Sequence, residues 1–573
     1  MAEVRGAPVS LRKSRTNPSL SLPPSPHPNN RISICDIAAP HRTPSLPQLI
    51  VQVYKRNRTV VLLGTSAVVH LSGLETTLLQ LAMSCAQSYI HLIPSNVKEA
   101  AAKSLRAAGR AGGAGRVGSA GSGSGTGVQK SVSLKIHLEK FPSSIGHATS
   151  RVNRLHNEDS YSINMLRMPS RTEQLLAYKN KDLLSKNSRS VLNVSIFDGH
   201  GGEGRVSKLL AREFYKDIVA GYPSEQDFFH LLDRYRKLIG GKYWNDLYQS
   251  REQFYDKFIK NCNTKQELVL FGADQKGSRM IFDKWGNIID KTSLLTDLER
   301  LRLYYSFLKF DLEKCCGFND MESLPENFSE EEHLKRYSGG STASSIFLSS
   351  YNNNLKTDDS FFIYPNGLFK LVVTQVGDTK IIICDKNGIA HPLTRLHHPT
   401  SSRESKRLNM DVKKEEEEAD SFGEKRFLNK FANTRSFGDL VGKKEGLSSE
   451  PDIYSYLVGN TEQLPHSERS KLQFGGDECF ICMVTDGVSD ILSDQEIVDL
   501  ITSTVNMRGL KTANPQYLAE EVVKFIEAVG DRHADNATCI ILRLPNWGSW
   551  PTIDRTGAER EEKLMGSSKG ERA

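Results

Sequence analysis

Five short acidic motifs limit what this chain can fold into. They are Arg154-Leu155-His156-Asn157-Glu158-Asp159, Asp198-Gly199-His200-Gly201-Gly202, Gly377-Asp378-Thr379, Thr485-Asp486-Gly487 and Asp535-Asn536. Most of their acids follow or interrupt an apolar, β-branched run, which places them at strand ends. Strand ends converging from distant parts of a chain can gather several carboxylates around a hard cation, and such sites serve phosphate chemistry. Taken singly, each motif is ordinary. Asp-Gly is a common turn after a strand, Asp535-Asn536 could be surface polarity, and Arg154 could be one of many surface arginines. Their order and context carry the information.

Composition sets the frame. The chain has 573 residues, 38% of them apolar and 25% charged, which allows a large globular domain with extensions. A net charge of +7 is modest for this length and does not point to nucleic acid as a partner. Nine scattered cysteines suit a reducing compartment with free thiols. Cys479 and Cys482 form a CxxC inside an apolar run, where residues three apart should face opposite sides of a strand, so they read as core rather than as a redox pair.

The chain divides near residue 130. Residues 1–50 are rich in Ser, Pro and Arg and poor in acids, which predicts disorder and matches the composition of an organelle transit peptide. Thr59 to Ile93 is apolar and helix-like around Leu78 to Tyr89. It is interrupted at Gly64, His70, Gly73 and Glu75, short of the roughly 20 apolar residues a bilayer span needs. A packed or interfacial helix is the favoured reading, with membrane association the alternative. Residues 101–128 are a Gly/Ala/Ser/Arg tether.

The domain expected over 131–554 contains strands at Val191 to Phe197, Leu371 to Val376, Lys380 to Cys384, Cys479 to Thr485 and Ala537 to Leu544, with a turn at Asp385-Lys386-Asn387-Gly388. Helical patterns fall at Val206 to Tyr222, Leu294 to Lys314, Asp494 to Asn506 (Asp494 as N-cap) and Pro515 to Ala528 (Pro515 in the first turn). Strands and helices do not alternate strictly. The fold class expected is α+β: two packed antiparallel β-sheets flanked by helices, with a helical insertion over 225–336. Residues 555–573 read as a disordered tail.

In order and local pattern the motifs resemble the type 2C protein phosphatases, the metal-dependent Ser/Thr phosphatase family. Gly339-Gly340-Ser341-Thr342-Ala343, the segment Phe431 to Asp439 and Glu450-Pro451-Asp452-Ile453 extend the resemblance, which covers roughly Gly146 to Leu544. Phe254 to Lys260 and Arg279 to Asn287 are similar to a fungal mitochondrial branch. The resemblance implies hydrolysis of phosphoserine and phosphothreonine by a water that bridges two Mg²⁺ or Mn²⁺ ions. Asp198 would bridge both ions. Asp486 and Asp535 would complete the first, and Glu158 with the Gly199 carbonyl the second. Asp159 would hold a metal-bound water, Asp378 and Asp490 would serve a weaker third ion, Arg154 would bind phosphate, and His200 would protonate the leaving alkoxide. It also implies phosphoprotein partners in mitochondria, such as pyruvate dehydrogenase.

Three departures are visible: Leu396 before His397-His398-Pro399, Lys380 where Arg is common, and Ser489 for Trp before Asp490. None removes an expected ligand. The segment Ser401 to Arg426, with Glu415 to Glu418, occupies the place of the family's flap and reads as a solvated charge run. The insertion is too rich in aromatic and aliphatic residues for a loop; helices on one edge of the sheets are expected, shaping protein-substrate access. The alternative class is a catalytically inactive phosphatase-like scaffold or regulatory binding protein, against which the complete ligand set argues.

Overall fold

The computed structural model describes residues 141–169, 188–219, 223–259, 297–351, 361–363, 367–408, 426–462, 472 and 474–570, together with four short strands nearer the N-terminus. In the N-terminal unit, Tyr54–Arg56 pairs antiparallel with Thr59–Val61. In the larger unit, Tyr89–Leu92 pairs with Val132–Lys135. The remaining N-terminal region, most of the apolar segment, the tether, Arg279 to Asn287 and Glu415 to Glu418 lie outside the described residues, as do the expectations of disorder and of a helix at Leu78 to Tyr89. Among the described residues no helix is long and apolar enough to cross a membrane.

Among the described residues, ten strands build the two main sheets: β1 (Ile145–Ser150), β2 (Ser160–Pro169), β3 (Ser188–Phe197), β4 (Ala343–Ser350), β5 (Leu368–Val376), β6 (Lys380–Cys384), β7 (Ala390–Pro392), β8 (Asp452–Gly459), β9 (Phe480–Val484) and β10 (Ala537–Arg543). They form two five-stranded sheets, ordered β8-β5-β4-β3-β2 and β7-β6-β9-β10-β1, with every pairing antiparallel. Alternation along the strands makes the layers. Leu192, Val194, Ile196, Ile346 and Val373 of the first sheet meet Ile381, Ile383, Ile481, Met483 and Ile540 of the second in a central core. The alternate residues Ile382, Cys482, Val484 and Ile541 face outward onto helices Asp494–Arg508 and Pro515–Val529. On the other side, Val191, Phe197, Phe347 and Val372 face Phe214, Phe307 and Phe310 of the helical layer. The result is the expected α-β-β-α sandwich.

Several local expectations change. Ser493, not Asp494, caps its helix, because its hydroxyl accepts from the Glu496 N–H and Glu496 answers in a capping box. Cys479 and Cys482 are fully buried in the same outer layer, since Cys479 precedes the regular strand and escapes its alternation. The consecutive strands Leu368–Val376 and Lys380–Cys384 lie in opposite sheets, and Gly377-Asp378-Thr379 is the crossing between them. The expected disordered tail contains a helix, Gly557–Gly570, which replaces an apolar face with ion pairs, Arg560 to Asp554 at 2.6 Å and Lys563 to Glu496 at 2.6 Å.

The insertion also packs differently from the expected edge. Helix Asp297–Phe310, continued by a π-helical turn Asp311–Cys315, turns Leu303, Phe307 and Phe310 toward the first sheet. Its opposite side carries Leu301, Tyr304, Leu308 and Leu312, and helices Glu225–Leu238, Lys242–Gln249 and Arg251–Ile259 stack there through Phe228, Leu232, Tyr235, Trp244 and Tyr255. A helix apolar on two sides needs two partners, so the insertion forms a further layer over the sandwich.

Glu478, fully buried where the chain returns from β8 to β9, accepts the Gly459 N–H with Oε2, while Oε1 has no hydrogen-bond partner among the described residues. Burial pushes its carboxyl up to about 7, from 4.5. A raised carboxyl favours the folded state below pH 4.5, and that advantage is lost as pH rises through 7, by about 3 kcal/mol at most. Glu478→Gln keeps the acceptor and removes the charge, so its melting temperature should exceed wild type at pH 8.5 and match it near pH 5. Parallel pH curves for the two proteins would contradict this.

Candidate metal centre

The acidic motifs meet at one end of the sandwich because that is where the chain ends strands or changes sheets. Residues 151–159 carry it from β1 to β2, 377–379 carry it from β5 to β6, Asp198 and Asp486 follow β3 and β9, and Asp535 precedes β10. One cleft there is lined by Arg154, Glu158, Asp198, Gly199, His200, Asp378, Asp486, Asp490 and Asp535. Of the expected site residues only Asp159 lies behind it, buried. Carboxylate oxygens of Asp198, Asp378 and Asp486 all fall within 4.8 Å of one another.

Hydrogen bonds fix these side chains from behind. The Asp198 carbonyl accepts the Thr342 N–H at 2.9 Å and its own N–H donates to Thr342 Oγ1 at 3.3 Å, so the Gly339 to Ala343 segment pins the end of β3. Glu158 accepts the Gly201 and Gly204 N–H groups, at 3.1 and 3.0 Å, one on each carboxylate oxygen. Gly204 has φ +69°, a left-handed backbone open to glycine. Asn536 ties the first motif to the last: its Oδ1 accepts the Glu158 N–H at 2.8 Å and its Nδ2 donates to the Arg151 and His156 carbonyls. Asp159 Oδ2 accepts from the hydroxyls of Thr538 (2.6 Å) and Thr485 (3.0 Å). Arg154 donates to Asp535 at 2.9 Å, with both side chains about half exposed.

The electrostatics are lopsided. Burial raises Asp198 well above the ordinary carboxylate range, and the charges of Asp486, Asp159 and Asp378 add to the effect. Burial raises Asp486 in the same way, with Asp378, Asp535 and Asp490 contributing. Asp378 is raised by burial, against a hydrogen bond from Asn433, and burial pushes Asp159 up to about 7 despite its two threonine donors. Oδ1 of Asp159 and Oδ1 of Asp378 are buried without a hydrogen-bond partner among the described residues. Buried acids at this density need a positive charge among them. An all-oxygen donor set with orphaned carboxylate oxygens fits Mg²⁺ or Mn²⁺ rather than a thiolate-loving ion.

His200 differs. Burial opposes its charge, but the Asp439 carboxylate, 2.7 Å from Nε2, overrides this and holds the imidazole up at about 9. Sequence reasoning assigns no role to Asp439; its signal is position within Phe431 to Asp439, next to a glycine. Gly340 makes the contact feasible, since any Cβ there would strike both Asp439 and the His200 ring. Asn433, Thr485 and Thr538 were also illegible, being polar residues whose partners lie far away in the chain.

Several known proteins are similar to this chain in sequence. Residues 238–535, just over half of the chain, match the family Protein phosphatase 2C. The matched range begins after Asp198; it is the fold that brings Glu158 and Asp198 to Asp378 and Asp486. Protein phosphatase 2C homolog 4 of Schizosaccharomyces pombe is 29% identical over 435 residues, covering 75% of this chain and 88% of that one. Protein phosphatase 1K, mitochondrial, of Xenopus laevis is 28% identical over 179 residues, which covers 31% of this chain and 40% of the relative. Among solved structures, a serine-threonine phosphatase 2C from Toxoplasma gondii aligns with a TM-score of 0.36 at 16% identity, covering 70% of this chain and 94% of that one. The chain belongs to the protein phosphatase 2C family, whose members are metal-dependent protein phosphatases.

Proposed function

We propose that this chain hydrolyses phosphoserine and phosphothreonine in proteins, with two Mg²⁺ or Mn²⁺ ions held at the acidic end of the sandwich. The observation that carries this reading is the group Asp198, Asp378 and Asp486, with carboxylate oxygens within 4.8 Å of one another and burial opposing the charge of each. Asp198 is assigned to both ions, Asp486 and Asp535 to one, and Glu158 with the Gly199 carbonyl to the other. Asp159, bonded to Thr485 and Thr538, supports them from behind. Asp378 and Asp490 are assigned to a weaker third ion. When bound, the ions would supply an acidified water and screen the phosphoryl charge.

The remaining steps fall to the chain's own side chains. Arg154 lies at the cleft mouth with its fork half exposed, suited to two phosphoryl oxygens. Asp439 keeps His200 oriented and charged at neutral pH. With Nε2 committed to Asp439, the proton for the leaving alkoxide would come from Nδ1. The intact acid set disfavours the inactive-scaffold reading. The Arg- and Ser-rich, acid-poor N-terminus and the similarity to a phosphatase named mitochondrial support a mitochondrial location. The substrates would then be phosphoproteins of that organelle, pyruvate dehydrogenase among the candidates.

The purified chain should release phosphate from a phosphothreonine peptide only with Mn²⁺ or Mg²⁺ present. Asp486→Asn should lower turnover by about three orders of magnitude or more, by loss of metal catalysis, while remaining folded. Turnover in excess chelator would sink the assignment.

Mn²⁺ at about a hundred times its dissociation constant should stabilise the wild type by about 2.7 kcal/mol, raising the melting temperature by a few degrees. Asp198→Asn relieves repulsion, so its metal-free melting temperature should be above wild type while the Mn²⁺-induced rise disappears. An equal rise in both proteins would place the ion elsewhere.

A further inference from the structure

The helical layer over the first sheet is bonded at several points to residues 436–450, and the connections lead to His200. Asp311, in the π-helical turn, and Lys443 form an ion pair at 2.7 Å, with both side chains fully buried. Removing one partner of such a pair strands a buried charge, so the pair fixes the two segments against each other. Asp311 Oδ1 also accepts the Gly438 N–H at 2.7 Å, and Oδ2 accepts the Tyr235 hydroxyl at 3.2 Å. Lys443 donates to the Ser436 carbonyl at 2.7 Å, and its own carbonyl accepts the Trp244 indole N–H at 2.8 Å. Trp244 stacks on Tyr235 with centroids 4.0 Å apart. Tyr243 and Tyr304 both donate to the Glu450 carboxylate.

The residues gripped in this way surround Asp439. Ser436 Oγ donates to Asp439 Oδ2 at 2.5 Å, and the same oxygen meets His200 Nε2 at 2.7 Å. Asp439 itself has φ 49° and ψ 47°, a left-handed conformation unfavourable for a residue with a Cβ. Such a conformation persists only where its surroundings enforce it. The Asp439 N–H reaches the Gly339 carbonyl at 3.0 Å, Gly438 before it is tied to Asp311, and Ser436 is tied to Lys443.

We propose that Asp311, Lys443 and Ser436 are positioning residues for His200: through Asp439 they hold the imidazole where a leaving alkoxide needs its proton, and the insertion helices, through Tyr235 and Trp244, set that geometry. The proposal rests on the phosphatase reading and adds that the helical layer acts on leaving-group protonation. An alkoxide such as serine needs the proton, whereas a nitrophenolate leaves without it. Mispositioned His200 therefore penalises one substrate class selectively.

The test compares a phosphoserine peptide with p-nitrophenyl phosphate, at saturating Mn²⁺, for wild type, Ser436→Ala, Ser436→Thr and the double variant Asp311→Leu/Lys443→Met. The double variant removes both buried charges together, which avoids stranding either one. Ser436→Ala and the double variant are expected to lose about tenfold to a hundredfold in kcat on the phosphopeptide, with KM nearly unchanged and p-nitrophenyl phosphate turnover largely retained. Ser436→Thr, which keeps the hydroxyl, should restore the phosphopeptide rate. Parallel losses on both substrates, or full activity on both, would overturn the proposal. If the double variant does not fold, Ser436→Ala and its threonine rescue decide alone. A wild-type chain inactive on both substrates would instead overturn the phosphatase reading, and this inference with it.

Discussion

The mutual repulsion of buried carboxylates at one end of the sandwich is the constraint around which the molecule is organised. Asp198, Asp378 and Asp486 bring carboxylate oxygens within 4.8 Å of one another; burial raises all three, and acidic neighbours add to the effect at Asp198 and Asp486. Left to relax, such groups would move apart or take up protons. They stay together because each sits at the end of a strand whose register is fixed by the central core, and because Thr342, Asn536, Thr485 and Thr538 bind the adjoining backbone or the supporting carboxylate. The fold stores an unfavourable charge arrangement that a bound cation would convert into affinity.

A second polar cluster holds the Asp378 crossing from the side away from the cleft. The Gly377 N–H donates to His397 Nδ1 at 2.9 Å, and the His397 carbonyl accepts from the backbone N–H and hydroxyl of Thr434. Burial lowers the His397 imidazole to about 4, so it stays neutral and can accept that bond. Around it, Arg435 donates to Glu404 through Nε and Nη2, at 2.9 and 2.6 Å, and approaches Asp452 at 3.3 Å. Burial alone would raise Glu404, but Arg435 and Arg407 hold it well below the usual carboxylate range. Helix Ser402–Leu408, the described start of the flap segment, is therefore bonded to the same framework that supports the metal centre. The Asp311–Lys443 pair does the equivalent for the His200 side.

Much of this was legible in the sequence, and for a definite reason. Acids after β-branched runs mark strand ends, and consecutive apolar residues such as Ile381, Ile382 and Ile383 announce a strand buried on both faces. Two such sheets flanked by helices imply the layered sandwich. The crossing at Asp378 was not legible because short connections look alike whether the strands pair or change sheets; only the pairing of β5 with β4 and of β6 with β9 separates the cases. The C-terminal helix Gly557–Gly570 escaped because ion pairs to Asp554 and Glu496, not an apolar stripe, dock it. Asp439 escaped because its role depends on His200, some 239 positions away. Periodicity reports burial on a local element, and it says nothing of which distant polar groups will meet.

The most direct test of the central claim is calorimetric titration of the metal-stripped chain with Mn²⁺. Binding of at least two ions per chain, falling by one or more in Asp535→Ala, is the result the account predicts. A wild-type chain that binds no Mn²⁺ in the accessible concentration range would contradict it.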